Sequence, residues 1–153
     1  MRDGLALIHP VSINGKLISS DGIPYHTTIK ALDKEKDSAG AAHNIASRLQ
    51  MDPPDPKNVH IVPAVYKDRF GDDVHVLVMH GEDAERIKQQ NSEFQGMGWP
   101  NRPEGYKPHI TVDEATYNRA VQSGAKTASD MGIQFGQAEL RRGFNTLNRY
   151  SNE

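Results

Sequence analysis

Seven histidines are spread along the chain: His9, His26, His43, His60, His75, His80 and His109. Only two of them share a context. His26 and His109 each follow a proline closely (Pro24 and Pro108), are flanked by apolar residues, and have a threonine two positions later, Thr28 and Thr111. In a strand, residues i and i+2 point to the same face, so each motif presents an imidazole beside a hydroxyl. Two such strands brought together carry the groups needed for in-line displacement at phosphorus. One neutral imidazole takes a proton from the attacking oxygen, and the other, protonated, donates one to the leaving oxygen. The hydroxyls hold the non-bridging phosphate oxygens. Histidine suits both roles because its ordinary pKa of about 6.5 lies near working pH, and each acid–base group typically contributes on the order of 10²–10⁴-fold.

The other histidines read differently. His75 and His80 are five apart, and in a strand they would face opposite sides, which is wrong for shared metal ligation. His60 adds nothing to them. His43 lies among alanines and reads as a partly exposed helix residue, and His9 before Pro10 carries no signal. Asp72-Asp73 reads as a turn. Tyr25, one residue from His26, points to the opposite strand face and reads as core. Arg141 and Arg142 have the length to reach a cleft, but adjacent arginines are usually solvated.

Tyr25-His26-Thr27-Thr28-Ile29 and Lys107-Pro108-His109-Ile110-Thr111-Val112 resemble the two signature motifs of the 2H phosphoesterase superfamily, the group that includes LigT-like RNA 2',3'-cyclic phosphodiesterases. The second motif, with Tyr106 ahead of it, is the closer match. The resemblance extends over the whole chain in layout and about ten residues in motif. It implies a bilobal α+β fold with pseudo-twofold symmetry: two antiparallel sheets flank a central cleft, with helices outside. It implies catalysis by His26 and His109 as acid and base, with Thr28 and Thr111 as phosphate holders and neither metal nor other cofactor required. The substrates it implies are RNA ends with 2',3'-cyclic phosphate, 2'-5' oligonucleotides or cyclic oligonucleotide signals, the last degraded by phage-encoded anti-CBASS members. The stretch before the first motif is long for the plainest members, which leaves the arrangement of residues 1–22 open.

The elements that must position these motifs follow from periodicity and turn chemistry. Asn14-Gly15 between apolar stretches predicts a hairpin over residues 5–19, and Ser20-Asp21-Gly22 a further turn. Residues 25–32 alternate as a strand. Ala41, Ala42, Ile45, Ala46 and Leu49 recur at helical spacing over 38–51, with Asp37 or Ser38 as cap. The proline-rich stretch 52–56 stops that helix. Residues 59–65 and 74–79 predict an antiparallel hairpin, and 82–94 a second amphipathic helix. Residues 95–108 break every periodicity, with three glycines, three prolines and the single tryptophan. There Trp99, Arg102, Tyr106 and Lys107 are candidate substrate-binding residues: an aromatic ring for a base and a cation for phosphate. The competing reading of Trp99 is a loop anchor. Residues 109–112 predict a strand, 114–123 a helix and 133–140 a strand, with the end of the chain undecided. Mixed order of this kind indicates α+β with antiparallel sheet.

The chain's 153 residues suit one domain over 1–153, with no linker or low-complexity segment. It contains no cysteine, which excludes disulfides, thiolate zinc sites and cysteine nucleophiles. No apolar run reaches the roughly 20 residues of a membrane span, and the first apolar stretch is too short for a signal peptide. The expectation is therefore a cytoplasmic protein, in the host cytoplasm if phage-encoded. A net charge of -2 provides no global basic field for duplex DNA and suits a nucleotide or a short or cyclic oligonucleotide. Two other functions share these residues: a nucleotide-binding module without turnover, and an adaptor in which the motifs are coincidental.

Overall fold

A computed structural model describes residues 5–32, 38–48, 52–68, 70–96, 106–143 and 145–150. In chain order its elements are β1 (Leu5–Ile13), β2 (His26–Leu32), α1 (Ser38–Ala46), β3 (His60–Lys67), β4 (Asp73–His80), α2 (Glu82–Gly96), β5 (His109–Val112), α3 (Glu114–Ser123), β6 (Ile133–Phe135), β7 (Glu139–Arg142) and β8 (Asn145–Arg149). The fold is α+β. The described strands form one sheet in the order β3-β4-β5-β2-β1-β7-β8, with β6 also paired to β1. Every strand pair among them is antiparallel. Where the resemblance implies two sheets, these strands run continuously, because β2 and β5 pair directly at Thr27 and Ile110.

Local sequence explains most boundaries. Asn14 (φ 51°) and Gly15 (φ 81°) both take positive φ, as a tight hairpin turn requires. The returning arm, however, is held only by isolated bridges, Ile13 to Lys16 and Ile18 to Pro24. The hairpin expected over 59–79 forms as β3 and β4, fully registered from His60 opposite His80 to Lys67 opposite Asp73. Helix α3 begins at an Asp113 cap, whose carboxylate accepts from the Thr116 N–H at 3.0 Å, and ends at Gly124 in the left-handed region. The cap residue Asp37 and residues 49–51 of the expected first helix lie outside the described residues.

The single strand expected over 133–140 is instead two, β6 and β7, and the reason is Gly136. Its N–H donates to the Pro10 carbonyl at 2.8 Å, and a Cβ there would lie 2.8 Å from the Pro10 ring. Strand β1 changes partner at this point, pairing β7 through Leu5–Ile8 and β6 through Val11–Ile13. Pro10 has no N–H to give a ladder, so it fits the gap.

The two faces of the sheet are unlike. Leu5, Leu7, Ile29, Leu77, Met79 and Ile110 point into one core, which Ala42 and Ala46 of α1, Ala84, Ile87 and Phe94 of α2 and Ala120 of α3 complete. All three described α-helices therefore cover the same face. On the opposite face Ile8, Val76 and Val78 are buried outside that main core.

Candidate functional site

Thr27 and Ile110, the paired residues of β2 and β5, are both fully buried on the helix side of the sheet. Strand alternation then turns His26, Thr28, His109 and Thr111 to the face without helices. Continuing the antiparallel register one step each way sets His26 opposite Thr111 and Thr28 opposite His109. Directly opposed side chains have Cβ atoms about 5 Å apart, and diagonal ones about 7–8 Å. The two imidazoles thus lie on one diagonal of a four-residue patch and the two hydroxyls on the other. A local twofold axis between Thr27 and Ile110 exchanges the motifs, His26 for His109 and Thr28 for Thr111. The flanking strands follow it, since Pro10 of β1 faces His26 as Val78 of β4 faces His109.

The symmetry extends to the imidazole hydrogen bonds. His26 Nδ1 lies 3.0 Å from the Pro24 carbonyl, and His109 Nδ1 lies 2.9 Å from the Lys107 carbonyl. A carbonyl only accepts, so each ring donates through Nδ1–H to the residue two before it. That fixes the tautomer and leaves Nε2 as the exchangeable nitrogen of each neutral ring. Among the described residues neither Nε2 makes a hydrogen bond, and neither Thr28 nor Thr111 has its hydroxyl engaged.

Burial pushes the His26 pKa below the usual imidazole value; the Pro24 carbonyl opposes this, while the charges of Arg141 and His109 reinforce it. Arg141 stands on the same face, opposite Ala6 of β1, and its charge is felt at His26. Its Nε donates to Glu139 Oε1 at 3.1 Å. The buried Glu139 also accepts from Thr146 at 2.7 Å and lies 3.7 Å from Arg149 Nε. Arg141 is thus held by a carboxylate rather than waving in solvent. At the other end of the patch the Tyr66 ring meets His109 edge-on, with centroids 6.4 Å apart.

The remaining sequence candidates fall in several places. Tyr106 packs against the core, and its hydroxyl donates to the Thr28 carbonyl at 2.6 Å. It therefore ties the segment before the second motif to the strand of the first. Burial raises its pKa, so it stays a donor. Lys107 is exposed and contributes its carbonyl to His109. Trp99 and Arg102 lie outside the described residues. Tyr25 is core, with its hydroxyl donating to Asp113 at 3.3 Å. His43 meets the Tyr150 hydroxyl at 3.1 Å, and the ring of His75 packs against Tyr117.

Sequence reasoning set Arg141 aside as solvated and passed over Glu139 and Tyr66. The signal for the first two was strand alternation, which puts Glu139 and Arg141 on one face. That for Tyr66 was its parity with Val62 and Ala64 in an edge strand.

A groove of about 660 Å³ lies apart from the patch, between residues 13–20 and α3, where Leu17, Ile18, Tyr25, Thr116 and Arg119 line it. None of the four motif residues borders it. The histidine pair lies on the sheet face that no described helix covers. Compared with models of known protein families, with curated proteins and with solved structures, the chain matches none.

Proposed function

We propose that the chain is a metal-independent phosphodiesterase of the two-histidine type, acting on a nucleotide phosphodiester at the patch formed by His26, Thr28, His109 and Thr111. One observation carries this reading: the two imidazoles lie on a diagonal of one sheet face, each with Nδ1–H anchored to the carbonyl two residues earlier. A diagonal of about 7–8 Å leaves room for a phosphate with one imidazole on either side. The pseudo-twofold relation of the motifs is the feature shared with the bilobal 2H arrangement.

In this mechanism His26 is the base. Its lowered pKa and the nearby Arg141 charge keep it neutral, so its Nε2 accepts the proton of the attacking oxygen. His109, whose hydrogen bond lies nearer the surface, donates a proton to the departing oxygen. Thr28 and Thr111 donate to the non-bridging oxygens, and Arg141 offsets the charge that grows there. For a 2',3'-cyclic phosphate, one P–O bond forms to water and one ring P–O bond breaks. The water proton goes to His26, and the released ribose oxygen takes its proton from His109.

The test is chromatography of 2',3'-cyclic and 3',5'-cyclic mononucleotides, cyclic di- and trinucleotides and a 2'-5' linked oligonucleotide after incubation in EDTA. The expected result is cleavage of at least one by the wild-type chain and an unchanged rate at higher chelator. Intact substrates throughout would move the reading to a nucleotide-binding module.

A further inference from the structure

We propose that Tyr66 is a nucleobase platform, on which the base of the nucleotide stacks while its phosphate lies between His26 and His109. This rests on the phosphodiesterase reading and adds an orientation and a substrate class to it.

Three observations carry it. First, Val62, Ala64 and Tyr66 of edge strand β3 oppose Val78, Val76 and Val74 of β4, and Val78 and Val76 in turn oppose His109 and Thr111. Cross-strand partners share a face, so Tyr66 stands on the face of the histidine pair. Second, the ring is 40 % exposed and Val62 is 50 % exposed, an apolar strip open to solvent beside the polar patch. The contact of Tyr66 with His109 is edge-on, at 85° between planes, so the two rings are not stacked on each other. Third, the patch is polarised. The anchored cation, Arg141, comes from β7 on one side, and the aromatic ring from β3 on the other.

A nucleotide has the same polarity, with an anionic phosphate at one end and a flat apolar base at the other. Strand β3 lies two strands from β5, about 10 Å at the usual strand spacing, a distance that a ribose and base span. This orientation puts the ribose oxygens beside His109 and leaves the His26 side for water, in agreement with the acid and base roles above. Stacking on an aromatic ring is tolerant of base identity and is worth about 1–3 kcal/mol per base. The site then takes purine and pyrimidine nucleotides alike and binds a sugar phosphate that lacks a base more weakly, by about the stacking contribution.

The experiment is calorimetric titration of adenosine 2'-phosphate and ribose 5-phosphate into the wild-type chain, Tyr66→Ala and Tyr66→Phe. Tyr66→Ala should weaken the nucleotide by about 5- to 150-fold, the stacking range converted to affinity, and leave the sugar phosphate unchanged. Tyr66→Phe, which keeps the ring, should bind the nucleotide like wild type. Melting curves of the three should coincide, since Tyr66 is a partly exposed edge residue. Equal nucleotide affinity in wild type and Tyr66→Ala, alongside intact turnover, would overturn the platform alone. Absence of both nucleotide binding and turnover in wild type would overturn the platform together with the catalytic reading.

Discussion

At the scale of single residues, the proposed chemistry asks two identical side chains to play different parts. His26 and His109 share a hydrogen-bond pattern to the carbonyl two positions before. His26 is pushed down by burial and by the Arg141 charge. The sign of the Arg141 effect is testable. A cation nearby disfavours protonation, so removing it raises the His26 pKa toward the ordinary histidine range. If His26 must be neutral to act, the acid limb of the kcat/KM profile follows that pKa. Arg141→Gln should therefore move the acid limb to higher pH, besides lowering the maximum rate. An acid limb in the same place in both proteins would remove His26 from the role of base. The pairing of imidazole and threonine was legible in sequence, because i to i+2 spacing alone sets it. The placing of Arg141 was not, because it depends on Glu139, braced by the Thr146 hydroxyl, accepting from its Nε.

At the scale of elements, the two site strands are backed by a polar pair within the core. His9 of β1 opposes Thr27 of β2, and both are fully buried. His9 Nδ1 donates to the Gly136 carbonyl at 3.0 Å, the residue whose close approach to Pro10 divides β6 from β7. Burial lowers the His9 pKa to about 4, against the effect of the Gly136 hydrogen bond. The unfolded chain therefore binds a proton at His9 below about pH 6.5, while the folded chain refuses it until about pH 4. More protons on the unfolded state mean that stability falls as pH falls through this window. The loss is roughly 3 kcal/mol at its full extent. Urea unfolding at steps from pH 7 to pH 4 should show that decline in wild type and a shallower one in His9→Asn. Parallel curves would show that another group carries the acid sensitivity. His9 yielded no signal in sequence because its burial comes from strands and a helix distant along the chain. Helix α3 and the β3–β4 hairpin were legible, since local capping and alternation set them. The split of 133–140 was not, as it follows from a close approach of Gly136 to Pro10, more than a hundred residues away.

At the scale of the whole molecule, the direct pairing of β2 with β5 decides everything else. It brings together two motifs about 80 residues apart, sets their register, and places the twofold axis at Thr27 and Ile110. All three described α-helices lie on the other face, so no described helix covers the patch. A sequence shows such a pairing only through the likeness of its two motifs, which is why the residues could be named before the sheet that joins them. Two equivalent motifs imply that neither suffices alone, and the most direct test is turnover by single histidine variants. The substrate would be whichever nucleotide the wild-type chain cleaves in EDTA, with folding of each variant checked by its melting curve. His26→Ala and His109→Ala should each lose about 10²–10⁴-fold in kcat, the usual contribution of one acid–base group. Either variant turning over at the wild-type rate while folded would contradict the two-histidine account.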